Sequence, residues 1–170
     1  MGFFDKLFGS KSKDENTAKF TNQSKTVLTP LQGKVLAQAD IPDETFAQGI
    51  LGPGCGIEPT GDTVFAPFDG TVTQIATTLH AVGVTSSDGI ELLIHVGMDT
   101  VDMNGQGFTA LVKEGQKVSA GTPLLKIDLN AIRAAGHPTA TAIIVTDGAD
   151  DEVKMLAQGD VAPGTPLFKV

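Results

Sequence analysis

From Val27 onward, short apolar runs rich in β-branched residues are separated by Gly, Pro and Asp at close spacing. Strand side chains alternate between faces with a period of two, so this punctuation predicts an all-β domain, a sandwich or a barrel. Two segments recur within it. Val27-Leu-Thr-Pro-Leu-Gln-Gly-Lys-Val35 resembles Val64-Phe-Ala-Pro-Phe-Asp-Gly-Thr-Val72. Val118-Ser-Ala-Gly-Thr-Pro-Leu-Leu-Lys-Ile127 resembles Val161-Ala-Pro-Gly-Thr-Pro-Leu-Phe-Lys-Val170. These read as matching strand–turn–strand units used twice in one domain, too few and uneven for a solenoid. One helix is expected, capped by Asp128, carrying Leu129, Ile132 and Arg133, and stopped by Gly136 and Pro138. The first residues differ. Phe3, Phe4, Leu7 and Phe8 fall on one helical face, Gly9 and Ser10 end it, and the chain from Ser10 to Lys25 is almost wholly polar. Residues 1–25 therefore read as a short amphipathic segment on a flexible leash, and residues 26–170 as the domain. The segment is either a functionless tail or a foot for a membrane surface.

The alternation is clearest around one histidine. Ile90, Leu92, Ile94, Val96 and Met98 share a face and read as core. The other face carries Glu91, Leu93, His95, Gly97 and Asp99, which places His95 away from the core with space beside it at Gly97. Ser86-Ser87-Asp88-Gly89 is a turn signal. If the hairpin closes about the Ser87–Asp88 bond, His80 lies directly opposite His95, with Thr78 on the same face. A three-residue loop would shift the register by one and separate the histidines. Two adjacent imidazoles suit phosphoryl transfer, in which one nitrogen attacks phosphorus and the neighbour donates to the developing charge. Histidine is largely neutral yet nucleophilic at pH 7. Metal binding is an alternative, but two His without further ligands in a motif make a thin site. Two solvated strand histidines without a role are the third reading.

Composition narrows the partners. The chain has 170 residues and a formal net charge of −8, so nucleic acid is a poor partner and a basic protein surface a good one. The single cysteine, Cys55, excludes an internal disulfide and fits a reducing compartment. There is no secretory pattern and no run of membrane-spanning length. The expected location is the cytoplasm, with residues 3–8 available to touch the membrane.

At this point a family resemblance enters. Ala66-Pro-Phe-Asp-Gly-Thr-Val72, Gly89-Ile-Glu-Leu-Leu-Ile-His-Val-Gly-Met-Asp-Thr-Val101, Gly105-Gln-Gly-Phe108 and Glu114-Gly-Gln-Lys-Val118 resemble the glucose-family enzyme IIA domain of the bacterial phosphoenolpyruvate-dependent phosphotransferase system. The likeness covers about residues 26–170. It implies an antiparallel β-sandwich or flattened barrel with little helix. It also implies a phosphocarrier with His95 phosphorylated on Nε2, His80 stabilising the phosphate and Thr78 orienting His80. The implied donor is the phosphorylated small carrier HPr, and the acceptor is a cysteine on the IIB domain of a sugar permease. No metal or organic cofactor is implied. Phe46, Leu93 and Val101 would form a shallow apolar docking area, with Leu93 standing where Phe is common. Asp43 and Asp99 would ring it. Core packing for Phe46 and turn chemistry for Asp43 stay open as alternatives. The start, Met1 to Gly9, resembles the N-terminal segment of stand-alone members. By contrast, Gly54-Cys-Gly-Ile-Glu-Pro59 and Gly136-His-Pro-Thr139 look more like members fused to permeases in Gram-positive bacteria.

Rival readings are a zinc peptidase of related β architecture, a lipoyl- or biotinyl-type carrier and a purely regulatory binding protein. The first lacks a His-x-His element here, and the second lacks its lysine motif. His137 reads as a loop residue, Cys55 as packing, and Asp150-Asp151-Glu152 as a solvated acidic turn.

Overall fold

A computed structural model describes residues 19–150 and 152–170. The predicted amphipathic segment, residues 3–8, lies outside the described residues. The strands are β1 (Thr26–Leu28), β2 (Gly33–Leu36), β3 (Gly54–Pro59), β4 (Thr63–Phe65), β5 (Gly70–Ile75), β6 (Ala81–Ser86) and β7 (Glu91–His95). They continue as β8 (Phe108–Ala110), β9 (Lys117–Val118), β10 (Pro123–Ile127), β11 (Thr141–Asp147), β12 (Lys154–Met155), β13 (Asp160–Val161) and β14 (Pro166–Lys169). Helix α1 spans Glu44–Ala47 and α2 spans Leu129–Ala134, with 3-10 turns at Gln38–Asp40 and Thr100–Met103.

All the pairings are antiparallel. One eight-stranded sheet has the order β13-β2-β3-β11-β7-β6-β5-β9, and two three-stranded sheets have the orders β1-β14-β12 and β4-β10-β8. Apolar residues from all three sheets merge into one core, so the architecture is the expected sandwich. The core includes Val27, Ile57, Val64, Phe68, Leu92, Ile94, Leu125, Ile143 and Phe168.

The two sequence echoes are the framework of this core. β1 pairs β14 through Val27 and Phe168, and the equivalent β4 pairs β10 through Val64 and Leu125. β2 pairs β13 through Gly33 and Val161, and the equivalent β5 pairs β9 through Gly70 and Val118. The two halves also clasp each other reciprocally. Leu28 N–H donates to the Pro67 carbonyl at 3.0 Å, and its counterpart Phe65 N–H donates to the Pro30 carbonyl at 2.7 Å.

Helix α2 forms as its sequence predicts. The Asp128 carboxylate accepts from Ala131 N–H at 3.0 Å, Ile132 is fully buried, and Gly136 turns the chain at φ +86°. Part of the predicted leash lies along the domain. The Phe20 ring sits 5.6 Å from that of Phe65, Asn22 Oδ1 accepts from Asp69 N–H at 2.8 Å, and Lys25 N–H donates to Asp88 Oδ2 at 2.8 Å.

The hairpin register differs from the symmetric closure. β6 and β7 pair Ala81 with His95, Val82 with Ile94, Gly83 with Leu93, Val84 with Leu92 and Thr85 with Glu91. Ser86 N–H donates to Ile90 O at 2.8 Å, so the loop has three residues, Ser87-Asp88-Gly89. Gly89 supplies the positive φ, +95°, that such loops require. The Ser86 hydroxyl donates to Asp88 Oδ1 at 2.6 Å and accepts from Ile90 N–H at 2.9 Å, which holds the loop closed. Ala81, rather than His80, is opposite His95.

Candidate functional site

The two histidines meet despite this shift. Their ring centroids lie 4.7 Å apart with the planes nearly perpendicular, at 80°. His80 precedes β6 and follows Leu79, which has left-handed backbone at φ +64°. The turn before it is closed by Leu79 N–H to Ala76 O at 2.8 Å. The side chain of His80 is therefore aimed by this turn and not by strand alternation, which would have placed it on the core face beside Val96. Its carbonyl still accepts from Val96 N–H at 2.8 Å, which anchors the turn to the end of β7.

Each imidazole has a defined partner. His95 Nδ1 lies 2.9 Å from the carbonyl oxygen of Gly97. A carbonyl only accepts, so Nδ1 carries the proton and Nε2 holds the free lone pair. His80 Nδ1 lies 2.8 Å from Thr78 Oγ1. With the hydroxyl donating to that nitrogen, His80 Nε2 bears the proton and becomes a donor. Neither ring is a freely solvated strand histidine, since His80 is 7% exposed and His95 is half-buried. Burial pushes the His80 pKa down to about 4, with repulsion from His95 adding to the shift. Burial also holds the His95 pKa below the ordinary histidine value. The Gly97 carbonyl and the carboxylates of Asp43 and Asp99 oppose that shift in part. Both shifts favour the neutral ring.

Gly97 acts differently from the expectation of open space. A Cβ there would lie 2.5 Å from Thr100 Cγ2 and 3.0 Å from the Pro138 carbonyl oxygen, so the space is already filled. The residue is glycine because φ is +74°, a conformation that folds its carbonyl back onto His95. The same reversal moves Met98 off the face it was expected to share. Ile90, Leu92, Ile94 and Val96 lie in the main core, while Met98 joins Ile41, Phe46, Ala142 and Ile144 in a second cluster on the other side of the sheet. β7 and β11 are thus buried on both faces near His95, with Leu93 packed against the second cluster.

Phe46 is 6% exposed and its ring sits 4.9 Å from that of His95, so it is a wall of the site as well as part of the cluster. It is placed there by α1, whose cap is Asp43. The Asp43 carboxylate accepts from Phe46 N–H at 3.3 Å. Asp43 is therefore a helix cap whose carboxylate also acts on His95, raising its pKa against the burial shift. Asp99 is exposed with left-handed backbone at φ +59°, and Val101 is 51% exposed on the following 3-10 turn, outside the buried cluster. The sequence pattern missed Ile41, Ala142 and Ile144 as the bed beneath the site. It also missed α1, although Asp43 three residues before Phe46 is a capping signal. Cys55 is 1% exposed with its thiol pushed up to about 12, which leaves it inert. His137 lies apart, on the wall of a groove with Asp102, Asn104 and Ala134.

Fold and site define a β-sandwich protein in which two histidine rings meet beside a buried apolar cluster. A family model for the phosphoenolpyruvate-dependent sugar phosphotransferase system, EIIA 1, matches residues 25–151. The chain is 43% identical over 144 residues to a PTS system glucose-specific EIIA component of Halalkalibacterium halodurans, covering 85% of this chain and 83% of that one. It is 41% identical over 157 residues to a PTS system glucose-specific EIICBA component of Streptococcus pneumoniae, covering 92% of this chain and 22% of that one. The chain thus spans under a quarter of the length of that multicomponent relative. Glucose permease IIA from Mycoplasma capricolum has the same fold, with a TM-score of 0.79 at 30% identity over 89% of this chain and 98% of that chain. The chain belongs to the glucose-type EIIA family, the transferase components of the phosphotransferase system.

Proposed function

We propose that His95 accepts a phosphoryl group on Nε2 from the phosphohistidine of HPr and passes it to a cysteine of a IIB domain. The observation that carries this reading is the Nδ1–H bond to Gly97 O, which leaves the Nε2 lone pair as the nucleophile. That lone pair attacks phosphorus. The new N–P bond forms as the donor's N–P bond breaks, and the electron pair returns to the donor ring. Nδ1 keeps its proton, so the His95 ring gains positive charge, which the Gly97 carbonyl, Asp43 and Asp99 stabilise. His80, oriented by Thr78, donates from Nε2 to a phosphoryl oxygen. In the second transfer a thiolate attacks the same phosphorus and the lone pair returns to Nε2.

The surface charge supports a basic partner. Between Lys34 and Lys113 there are ten acidic residues and no Lys or Arg. Both histidines, α1 and the Thr100–Met103 turn fall within that stretch. Phe46, Leu93 and Val101 would make the apolar contact and Asp43 and Asp99 the charged rim. The names of the multicomponent relatives, which join A with B and C components, support a B domain as acceptor. No helix among the described residues is long and apolar enough to cross a membrane. The reading for residues 3–8 is a membrane-surface foot that keeps the carrier near its permease.

The test is labelling with phosphoenolpyruvate, enzyme I and HPr, followed by location of the phosphate. An acid-labile, base-stable label on His95 is expected, and none on His95→Ala. An unlabelled wild type, or a fully labelled variant, overturns the assignment. Liposome binding before and after removal of residues 1–15 tests the foot, and equal binding dismisses it.

A further inference from the structure

The two segments set apart in the sequence, 54–59 and 136–139, touch each other behind His95. The Thr139 hydroxyl donates to Glu58 Oε2. Glu58 is half-buried near the end of β3, and Thr139 is 7% exposed just before β11. Lys34 is the cross-strand neighbour of Glu58 on β2. Among the described residues, however, the Glu58 carboxylate bonds Thr139 and makes no ion pair with Lys34. Thr139 is held from a second side, because Thr141 Oγ1 donates to its carbonyl at 3.1 Å.

Pro138 precedes Thr139, and its carbonyl accepts from Met98 N–H at 3.1 Å. The Met98 N–H belongs to the same planar peptide unit as the Gly97 carbonyl, so its bond to Pro138 fixes the direction of that carbonyl. The Gly97 carbonyl in turn accepts the hydrogen bond from His95 Nδ1–H. A continuous series of contacts therefore runs from the Glu58 carboxylate through Thr139, Pro138 and the Gly97–Met98 peptide to the His95 imidazole. The last contact has a chemical consequence. Free histidine favours the proton on Nε2, so an acceptor held at Nδ1 is what tips the ring to the opposite tautomer. If the Pro138 segment drifts, the Gly97 peptide loses its support, its carbonyl can turn from the ring, and the proton blocks Nε2.

We infer that Glu58 and Thr139 are positioning residues for His95, fixing the Pro138–Met98 hydrogen bond that orients the Gly97 carbonyl and so keeps the lone pair on Nε2. This rests on His95 being the phosphoryl acceptor. The pair touches no reacting atom and acts only through the backbone between them.

The test compares Thr139→Val, which removes the hydroxyl at nearly constant volume, with Thr139→Ser, which keeps it. The first readout is the ring 15N signature of His95 in the unphosphorylated protein. Wild type should show the Nδ1–H tautomer, Thr139→Val a mixture, and Thr139→Ser the wild-type form. The second readout is the rate of phosphorylation by phospho-HPr, expected to fall about five- to tenfold in Thr139→Val and to recover in Thr139→Ser. A folded Thr139→Val with the wild-type tautomer and rate overturns the proposal, as does Thr139→Ser behaving like Thr139→Val. If Thr139→Val does not fold, Glu58→Ala replaces it, with the same tautomer shift expected and an unchanged tautomer overturning the proposal. The tautomer measurement needs no phosphate. A wild type that is unlabelled at His95 would therefore sink the assigned function, while the tautomer comparison still decides the positioning.

Discussion

His80 is a base buried in its neutral form, and burying a neutral base has a price at low pH. Its folded pKa, about 4, lies below the ordinary value of 6.5, so the unfolded chain binds the extra proton first. Its contribution to stability is complete above pH 6.5, falls as pH drops through that value, and is fully lost below about 4. At pH 5 the loss from His80 alone amounts to about 2 kcal/mol, with His95 adding in the same direction. Urea unfolding at pH 7.5 and pH 5 should show this, and His80→Gln should reduce the difference. The transfer rate follows a separate titration. In the proposed transfer His95 must be neutral to attack, and burial holds its pKa below the ordinary histidine value. The midpoint of the decline in phosphorylation on acidification should therefore lie below that of an ordinary histidine. Removing the charges of Asp43 and Asp99 should move that decline to still lower pH, because both carboxylates hold the pKa up. A pH–rate profile of wild type and Asp43→Asn, Asp99→Asn checks the sign.

At the scale of elements, the turn after β7 decides what His95 can do. Gly97→Ala puts a side chain where φ is +74° and where Thr100 and Pro138 already stand. A cost of about 1–3 kcal/mol in unfolding free energy is expected, together with slower phosphorylation. Helix α2 offers a contrast. Asp128→Ala removes its cap bond to Ala131 N–H and should cost about 1 kcal/mol without altering transfer, since α2 contributes no side chain to the site. Cap and stop signals for α2 were legible because they are local. The His80–His95 pairing was legible only by accident of the wrong register. The Ser86–Asp88 bond and Gly89 select a three-residue loop, and the Ala76–Leu79 turn then restores the meeting of the rings. Neither event is visible in strand periodicity.

For the molecule as a whole, the duplicated units make the C-terminal strand part of the core and not an appendage. Leu167 and Phe168 are fully buried, and β14 pairs β1 on one side and β12 on the other. Phe168→Ala should destabilise by about 3–5 kcal/mol by calorimetry or denaturant unfolding. The acidic stretch around the histidines has a kinetic consequence at this scale. Association with a basic carrier should slow as salt is raised from low ionic strength, while transfer within the formed complex changes little, a split that stopped-flow measurement resolves.

Alternation and punctuation determined the β class, the inward set of β7 up to Val96, the internal duplication and the exposure of His95 to the side opposite the main core. These follow from nearest-neighbour geometry, in which each residue's direction depends on the one before. Tertiary structure alone decided the register of the hairpin, the second apolar bed of Ile41, Phe46, Met98, Ala142 and Ile144, and the contact between Glu58 and Thr139. Those depend on backbone reversals at Leu79 and Gly97 and on strands distant in sequence becoming neighbours in one sheet. The tautomer of His95, on which the proposed transfer turns, belongs to the second group, because a carbonyl oxygen two residues away accepts a hydrogen bond from its Nδ1–H only when Gly97 is held in a left-handed turn.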